Sequence, residues 1–79
     1  MMHYYQDDQV TLLLGDAREC LAALPSESVH CVVTSPPFWN KRDYGVDGQI
    51  GREAKLEGFL STLVAVFREA RRVLRDDGT

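Results

Sequence analysis

Residues 10–38 read VTLLLGDARECLAALPSESVHCVVTSPPF, and this stretch decides the predicted fold. Val10–Leu14 is a short apolar run closed by Gly15, which is typical of a strand buried on both faces. Asp16 follows as a good N-cap for a helix that ends before Pro25. The apolar residues of that helix recur on one face: Ala17, Cys20, Leu21 and Leu24.

A second apolar run, Val29–Thr34, predicts a second strand. Pro36 and Pro37 end it, because proline cannot donate to a sheet ladder. A strand, a helix and a strand in close succession indicate a βαβ unit with parallel strands and a right-handed crossover. The predicted fold class is therefore α/β. Ligands bind at the carboxyl ends of the strands in such sheets, and both Asp16 and the Ser35–Phe38 turn follow a strand end.

The SPPF turn has the chemistry to hold an amino group. Pro36 and Pro37 lack N–H groups, so the turn presents carbonyl oxygens, and Ser35 adds a hydroxyl. Phe38 offers a flat face for stacking a heteroaromatic ring, a contact worth ~1–3 kcal/mol per base. The arrangement suits the amino group of a nucleobase flipped out of a duplex. Two simpler interpretations stay open: a strand terminator beside core aromatics, and a proline-rich ligand for an aromatic groove.

The remainder of the chain predicts one loop and one long helix. Asn40–Gly51 contains glycines and mixed charges, as mobile surface loops do. A helix with one apolar face is predicted to begin near Glu53 and to stop with Gly78 at the C′ position. Several arginines lie towards its end, where cations suit the negative helix pole: Arg68, Arg71, Arg72 and Arg75.

Composition limits the functional class only loosely. The 79 residues suit one small domain, with 44% hydrophobic residues, 27% charged residues and a formal net charge of −3. That charge argues against a dedicated basic nucleic-acid-binding domain. Every Lys or Arg except Arg18 lies from Lys41 onward, however, which is compatible with a local basic patch. Cys20 and Cys31 have no metal-type spacing and are predicted to be reduced and buried. A cytoplasmic protein without a metal site or a membrane span is expected.

The motif TSPPFW at residues 34–39, followed by RDYG at 42–45, resembles motif IV of the amino-group DNA methyltransferases. These enzymes make N4-methylcytosine or N6-methyladenine, and their signature is Ser, Asp or Asn, then Pro-Pro and an aromatic residue. LLLGDARECLAALPSESVHCVVTSPPFW, DYGVDGQIG and VFREARRVLRDDGT resemble the opening segment of the permuted group, in which the catalytic motif precedes the cofactor motif. Phage and prophage methylases of restriction or orphan type have similar openings.

This resemblance implies part of the Rossmann-like fold of methyltransferases that use S-adenosylmethionine, with double-stranded DNA as substrate and base flipping as the route to the target. Ser35 and the Pro36 carbonyl are implied to hold the target amino group. Pro37 is implied to shape the turn beside the methyl donor, and Phe38 to stack on the base. Methyl transfer is direct in this family, so catalysis is expected to come from positioning and electrostatics.

Further roles follow from the same resemblance. Asp16 has the position that contacts the adenosyl part of the cofactor, and its alternative role is a helix cap. Lys41, Arg42 and Tyr44 belong to the loop that closes over DNA, where cations neutralise phosphates; the alternative is a solvated loop. Trp39 either stacks on DNA or anchors this loop.

Residues 1–9 are predicted to be an extension that frays or forms a short edge piece, and residues 10–79 to be the N-terminal part of a catalytic domain. The family's glycine-rich cofactor loop, of the Phe-x-Gly-x-Gly type, does not occur in the sequence, so we expect a chain truncated before that loop and inactive alone. Ser35 favours N4-cytosine over N6-adenine as target. Other open alternatives are methylation of a protein glutamine or an RNA amine, and a non-catalytic prophage remnant or binding module.

Overall fold

A hairpin, a short helix and a long helix make up the regular structure of residues 2–79, which are the residues that the computed structural model describes. The predicted α/β composition is confirmed. β1 (Met2–Gln6) pairs antiparallel with β2 (Thr11–Leu14). The carboxylate of Asp7 closes the turn between them by accepting the backbone N–H of Val10 (2.7 Å), a common use of aspartate in turns.

The first predicted strand is confirmed in position, but its predicted burial on both faces is wrong, since Leu12 and Leu14 are 52% and 54% exposed. The second predicted strand is wrong. β2 lies within the predicted Val10–Leu14, and its partner β1 is the short edge piece expected near the N-terminus. Residues 29–34 form no strand; a single isolated parallel bridge joins Val29 to Leu74. The sheet of residues 2–79 is therefore antiparallel, and the predicted pair of parallel strands is not formed. The Rossmann-like arrangement stays a prediction.

Residues 29–34 instead make separate backbone hydrogen bonds to the last residue of the long helix and to the residues beyond it. The Val29 N–H donates to the Val73 carbonyl (2.9 Å), and the Val32 N–H donates to the Thr79 carbonyl (2.9 Å). Between these contacts the partner segment turns, and the Gly78 N–H donates to the carbonyl three residues earlier (2.8 Å). Because this turn interrupts the partner, a continuous ladder does not form.

Helix α1 (Ala17–Ala22) forms where it was predicted, with Asp16 as its N-cap. The Asp16 carboxylate accepts the backbone N–H of Arg18 (2.8 Å), one of the donors that a helix N-terminus leaves unpaired. The cap places the start of α1 directly after the end of β2.

Helix α2 (Leu56–Val73) packs against α1 and carries the small core of the described residues. Phe59 and Val73 are buried, at 6% and 1% exposure. The helix begins after the predicted start near Glu53. It ends well before Gly78, because Leu74 is extended and enters the bridge with the segment that precedes the SPPF turn.

Arg72 joins the two helices. Its guanidinium donates to the carbonyls of Leu21 (2.9 Å) and Leu24 (3.0 Å), at and just beyond the end of α1, and to Ser26 Oγ (2.9 Å). It also pairs with Glu69 on its own helix. These contacts add donors to carbonyls at the end of α1, where the Leu21 carbonyl also accepts the Leu24 N–H (3.1 Å).

Residues 2–79 contain neither a cluster of three potential metal ligands nor a helix that is long and apolar enough to cross a bilayer. Both cysteines are free thiols. Cys20 is half-buried, but Cys31 is exposed, so its predicted burial is wrong. Residues 29–34 form no strand, and only Val29 and Val32 of this segment are half-buried.

Candidate active site

Residues 35–38, named the SPPF turn from the sequence, form an irregular surface segment rather than a defined turn, and they line a cavity of about 300 Å³. The loop after the turn contributes the other lining residues: Lys41, Arg42, Tyr44 and Gln49. The predicted catalytic turn and most of the predicted DNA contacts are thus brought to one cavity. Phe38 is 76% exposed, so the interpretation of Phe38 as a core aromatic is wrong.

Polar side chains of this cavity are available to a ligand. Four of them make no hydrogen bond or ion pair within the part of the chain that the structure describes: Ser35, Lys41, Arg42 and Tyr44. Together they offer a hydroxyl, two cations and a phenol beside the aromatic face of Phe38. This set suits a ligand that is both anionic and aromatic, as a nucleotide is.

Hydrogen bonds close the base of the loop over residues 40–51. The Asn40 N–H donates to the Gly51 carbonyl (2.6 Å), and the Gly51 N–H donates to Glu53 Oε1 (2.8 Å). The indole N–H of the half-buried Trp39 donates to the Glu53 carbonyl (2.8 Å). Trp39 therefore anchors the loop, and it is not among the residues that line the cavity.

Gln49 lies inside the loop and was missed by the sequence analysis. Its Oε1 accepts the backbone N–H of Tyr44 (2.8 Å), and its Nε2 donates to the carbonyl of Arg42 (2.8 Å). The available signal was a glutamine among the glycines of DYGVDGQIG, since an amide can donate and accept at once. That pattern alone does not identify the partners.

Asp16 lies outside the cavity and acts as a helix cap. Its carboxylate also forms a bidentate ion pair with Arg18, with Nε–Oδ1 at 2.9 Å and Nη2–Oδ2 at 2.6 Å. Hydrogen bonds from the Arg18 side chain and backbone lower the Asp16 pKa to about 2. Arg18 also donates to the carbonyl of Gly48 (3.3 Å), which links the start of α1 to the loop.

A second cavity, of about 450 Å³ and mainly apolar lining, shares the residues Ser35, Pro36 and Pro37 with the first. Gly15 and Ala17, the neighbours of Asp16, also line it. The turn therefore borders two cavities of different character, one polar and cationic, the other apolar.

Comparison with known protein families gives a match that includes the residues lining the first cavity. Residues 29–79 match the model of a family described as DNA methylase. No solved structure matches the chain.

Curated relatives are similar over most of this chain. It is 59% identical over 69 residues to the Type II methyltransferase M.Cfr9I of Citrobacter freundii and to M.XycI of Xanthomonas campestris pv. cyanopsidis. It is 53% identical over 68 residues to M.SmaI of Serratia marcescens. These matches cover 87%, 87% and 86% of this chain but only 23% of each relative. The chain thus spans about a quarter of the length of these relatives.

Proposed function

The chain belongs to the DNA methylase family, and we propose that it supplies the target-base site of an amino-group DNA methyltransferase. The observation that carries this proposal is the exposed Ser35–Phe38 turn, which lines one cavity with Lys41, Arg42 and Tyr44. Because the chain spans about a quarter of these relatives, the complete enzyme activity is proposed for a protein that contains this chain. We propose that residues 10–79 act as part of its catalytic domain, in the permuted order, and that the chain alone is inactive.

The turn holds the target amino group through acceptors. Ser35 Oγ and the Pro36 carbonyl accept the two amino protons, and Pro37 adds no competing N–H. Phe38 stacks on the flipped base. An amino group conjugated to a base ring is a poor nucleophile, so hydrogen bonds that localise its lone pair lower the barrier. The nitrogen would form its bond to the methyl carbon as the carbon–sulfur bond of the sulfonium donor breaks and the neutral thioether leaves, and the surplus N–H proton would pass to solvent.

The loop residues hold the DNA strand around that base. Lys41 and Arg42 are unpaired within residues 2–79 and lie at the cavity, where they neutralise phosphates. Tyr44, 64% exposed, offers a ring and a hydroxyl to the nucleotide. The indole N–H of Trp39 is engaged by Glu53, so Trp39 contributes by holding the loop.

The residues of the second cavity fit the cofactor that the family implies. S-adenosylmethionine supplies an electrophilic methyl group when it is bound. The apolar lining beside Gly15 and Ala17 suits an adenine ring, and the Pro36–Pro37 wall is shared with the target site. Asp16 does not line this cavity, and both oxygens of its carboxylate accept from Arg18, but its neighbours Gly15 and Ala17 do line the cavity. On that adjacency we propose cofactor contact for Asp16 in addition to capping.

Among the target bases, N4-cytosine is favoured by Ser35, and N6-adenine is the alternative. A cytoplasmic place of action follows from DNA as substrate.

The test is a chimera in which this chain replaces the matching segment of M.Cfr9I. We expect the chimera to transfer labelled methyl groups from S-adenosylmethionine to DNA, and mass spectrometry of the nucleosides to detect N4-methylcytosine. N6-methyladenine instead would overturn the cytosine assignment. A folded chimera without methylation, beside active M.Cfr9I, would overturn the proposed function and favour a non-catalytic module.

Substitution of Phe38 tests the site itself. Phe38→Ala in the chimera is expected to lower kcat/KM by about fivefold or more, since base stacking is worth ~1–3 kcal/mol. Phe38→Tyr keeps the ring and is expected to retain most activity. Neither change should alter the thermal midpoint, because the side chain is exposed. Equal activity of the alanine variant would contradict the stacking role.

A further inference from the structure

Gln49 connects two residues whose side chains line the cavity. Its amide accepts from the backbone of Tyr44 and donates to the backbone of Arg42, each at 2.8 Å. Gln49 is half-buried and lines the same cavity. A single side chain thus sets the spacing between the backbones that carry a cation and a phenol.

The other contacts around this part of the loop are local or exposed. The Gly45 N–H donates to Asp43 Oδ1 (2.8 Å), two residues away. Asp43 forms an ion pair with Arg52 at 3.7 Å, in which both side chains are largely exposed. Exposed pairs of this kind contribute little. The Gln49 amide is therefore the main side-chain link within the loop, in addition to the Asn40–Gly51 backbone contact that closes its base.

Only an amide fits both contacts. The carboxylate of a glutamate keeps the acceptor for Tyr44 but has no donor for the Arg42 carbonyl. Methionine has a similar length and lacks both functions. The position thus offers a graded series of substitutions that change hydrogen bonding with little change in volume.

We propose that Gln49 is a positioning residue that pre-organises Arg42 and Tyr44 beside the SPPF turn before DNA binds. This inference rests on the proposed function. A pre-organised loop loses less conformational freedom on binding, so the gain appears in DNA affinity. The Gln49 amide is engaged by the loop backbone, so the chemical step itself should change little.

The experiment measures the Kd of the chimera for duplex DNA and, separately, kcat. For Gln49→Met we expect Kd and the KM for DNA to rise about tenfold or more, because two hydrogen bonds of roughly fivefold each are lost. The kcat should stay within about threefold. Gln49→Glu keeps the acceptor for Tyr44 but sets a negative charge against the Arg42 carbonyl and the proposed phosphate site, so its Kd should be at least as high as that of Gln49→Met. Gln9→Met, in the hairpin turn away from the cavity, is the matched control and should leave all values unchanged.

Two further readouts separate positioning from other roles. The Tyr44 amide of the 79-residue chain should exchange with solvent at least about tenfold faster in Gln49→Met than in Gln9→Met. The salt dependence of DNA binding should keep its slope in Gln49→Met, because no charge is lost, whereas Lys41→Ala should reduce it.

The outcomes distinguish this inference from the proposed function. If Gln49→Met binds DNA as Gln9→Met does, or if only kcat falls, the positioning role is wrong even when the chimera methylates DNA. If the unsubstituted chimera does not methylate, the proposed function fails, and the Kd and amide exchange still decide whether Gln49 orders the loop for DNA.

Discussion

Gly51 connects the SPPF turn with the base of the loop that follows it. Its φ of +105° lies outside the range that L side chains readily adopt. A Cβ there would lie 3.1 Å from the Phe38 carbonyl oxygen and 3.5 Å from the Pro37 side chain. The glycine thus lets the loop approach the turn that holds the candidate site.

Gly51→Ala is expected to lower the free energy of unfolding by about 2 kcal/mol or more, from backbone strain and from contact with the turn. Gly48→Ala is the matched control, because Gly48 also has a positive φ (+78°) but open space around its Cβ position. Gly48→Ala should lower the free energy of unfolding by about 1 kcal/mol. Urea unfolding followed by the emission of Trp39, the sole tryptophan, measures both. Equal costs would contradict the close approach.

At the scale of the elements, the Asp16 cap makes α1 sensitive to acid. The folded-state pKa of Asp16 is lowered to about 2 by Arg18, so its ionised form stabilises the fold. This contribution is fully present above the unfolded pKa of about 3.9 and is lost as the pH falls through about 2. The difference in unfolding free energy between the native chain and Asp16→Asn should therefore shrink from pH 5 to about pH 2. A difference that does not change with pH would contradict the ion pair.

The hydrogen bonds of Arg72 are expected to hold α1 against α2. Arg72→Met removes the donors to the Leu21 and Leu24 carbonyls and should lower the free energy of unfolding by about 2 kcal/mol. Arg71 is exposed and has no partner within residues 2–79, so Arg71→Met should stay within about 0.5 kcal/mol. Thermal or urea unfolding of both variants makes the comparison. Similar costs would mean that the Arg72 contacts do not hold α1 against α2.

At the scale of the whole molecule, the apolar face of α2 is only partly covered. Phe59 is 6% exposed, whereas Phe67, on the same face, is 41% exposed, and Leu60 is 50% exposed. The described residues therefore place their core near the ends of the helix, at Phe59 and Val73. The apolar periodicity of the sequence predicts similar burial for these positions, whereas the packing of the fold buries Phe59 and leaves Phe67 and Leu60 more exposed.

The same substitution at two phenylalanines tests this distribution. Phe59→Ala should cost about 3 kcal/mol or abolish the cooperative transition, because it leaves a cavity in the core. Phe67→Ala should cost about half as much or less, since the ring loses less buried area. Urea unfolding of both variants is the measurement. A larger cost at Phe67 would contradict the position of the core.

Short-range chemistry made several features predictable from the sequence. Helix α1 and its Asp16 cap depend on neighbours a few residues apart, and the absence of a strand at Pro36 and Pro37 follows from their missing N–H groups. The family resemblance rests on the same local residues and is supported by the family match. Local hydrogen bonding and proline geometry depend only on neighbouring residues, so they can be predicted without knowledge of the rest of the fold.

Only the tertiary structure decided which segments pair. The second predicted strand has the apolar, β-branched residues of a strand, but the partner that follows α2 turns and leaves a single bridge at Val29. The antiparallel pairing of β2, the Arg72 contacts and the two hydrogen bonds of Gln49 likewise depend on where distant backbone groups lie. An apolar run or an amide side chain shows that a segment is able to form strand or hydrogen-bond contacts. Which backbone groups become its partners depends on the path of the chain in the folded protein, and the residue type at one position does not specify that path.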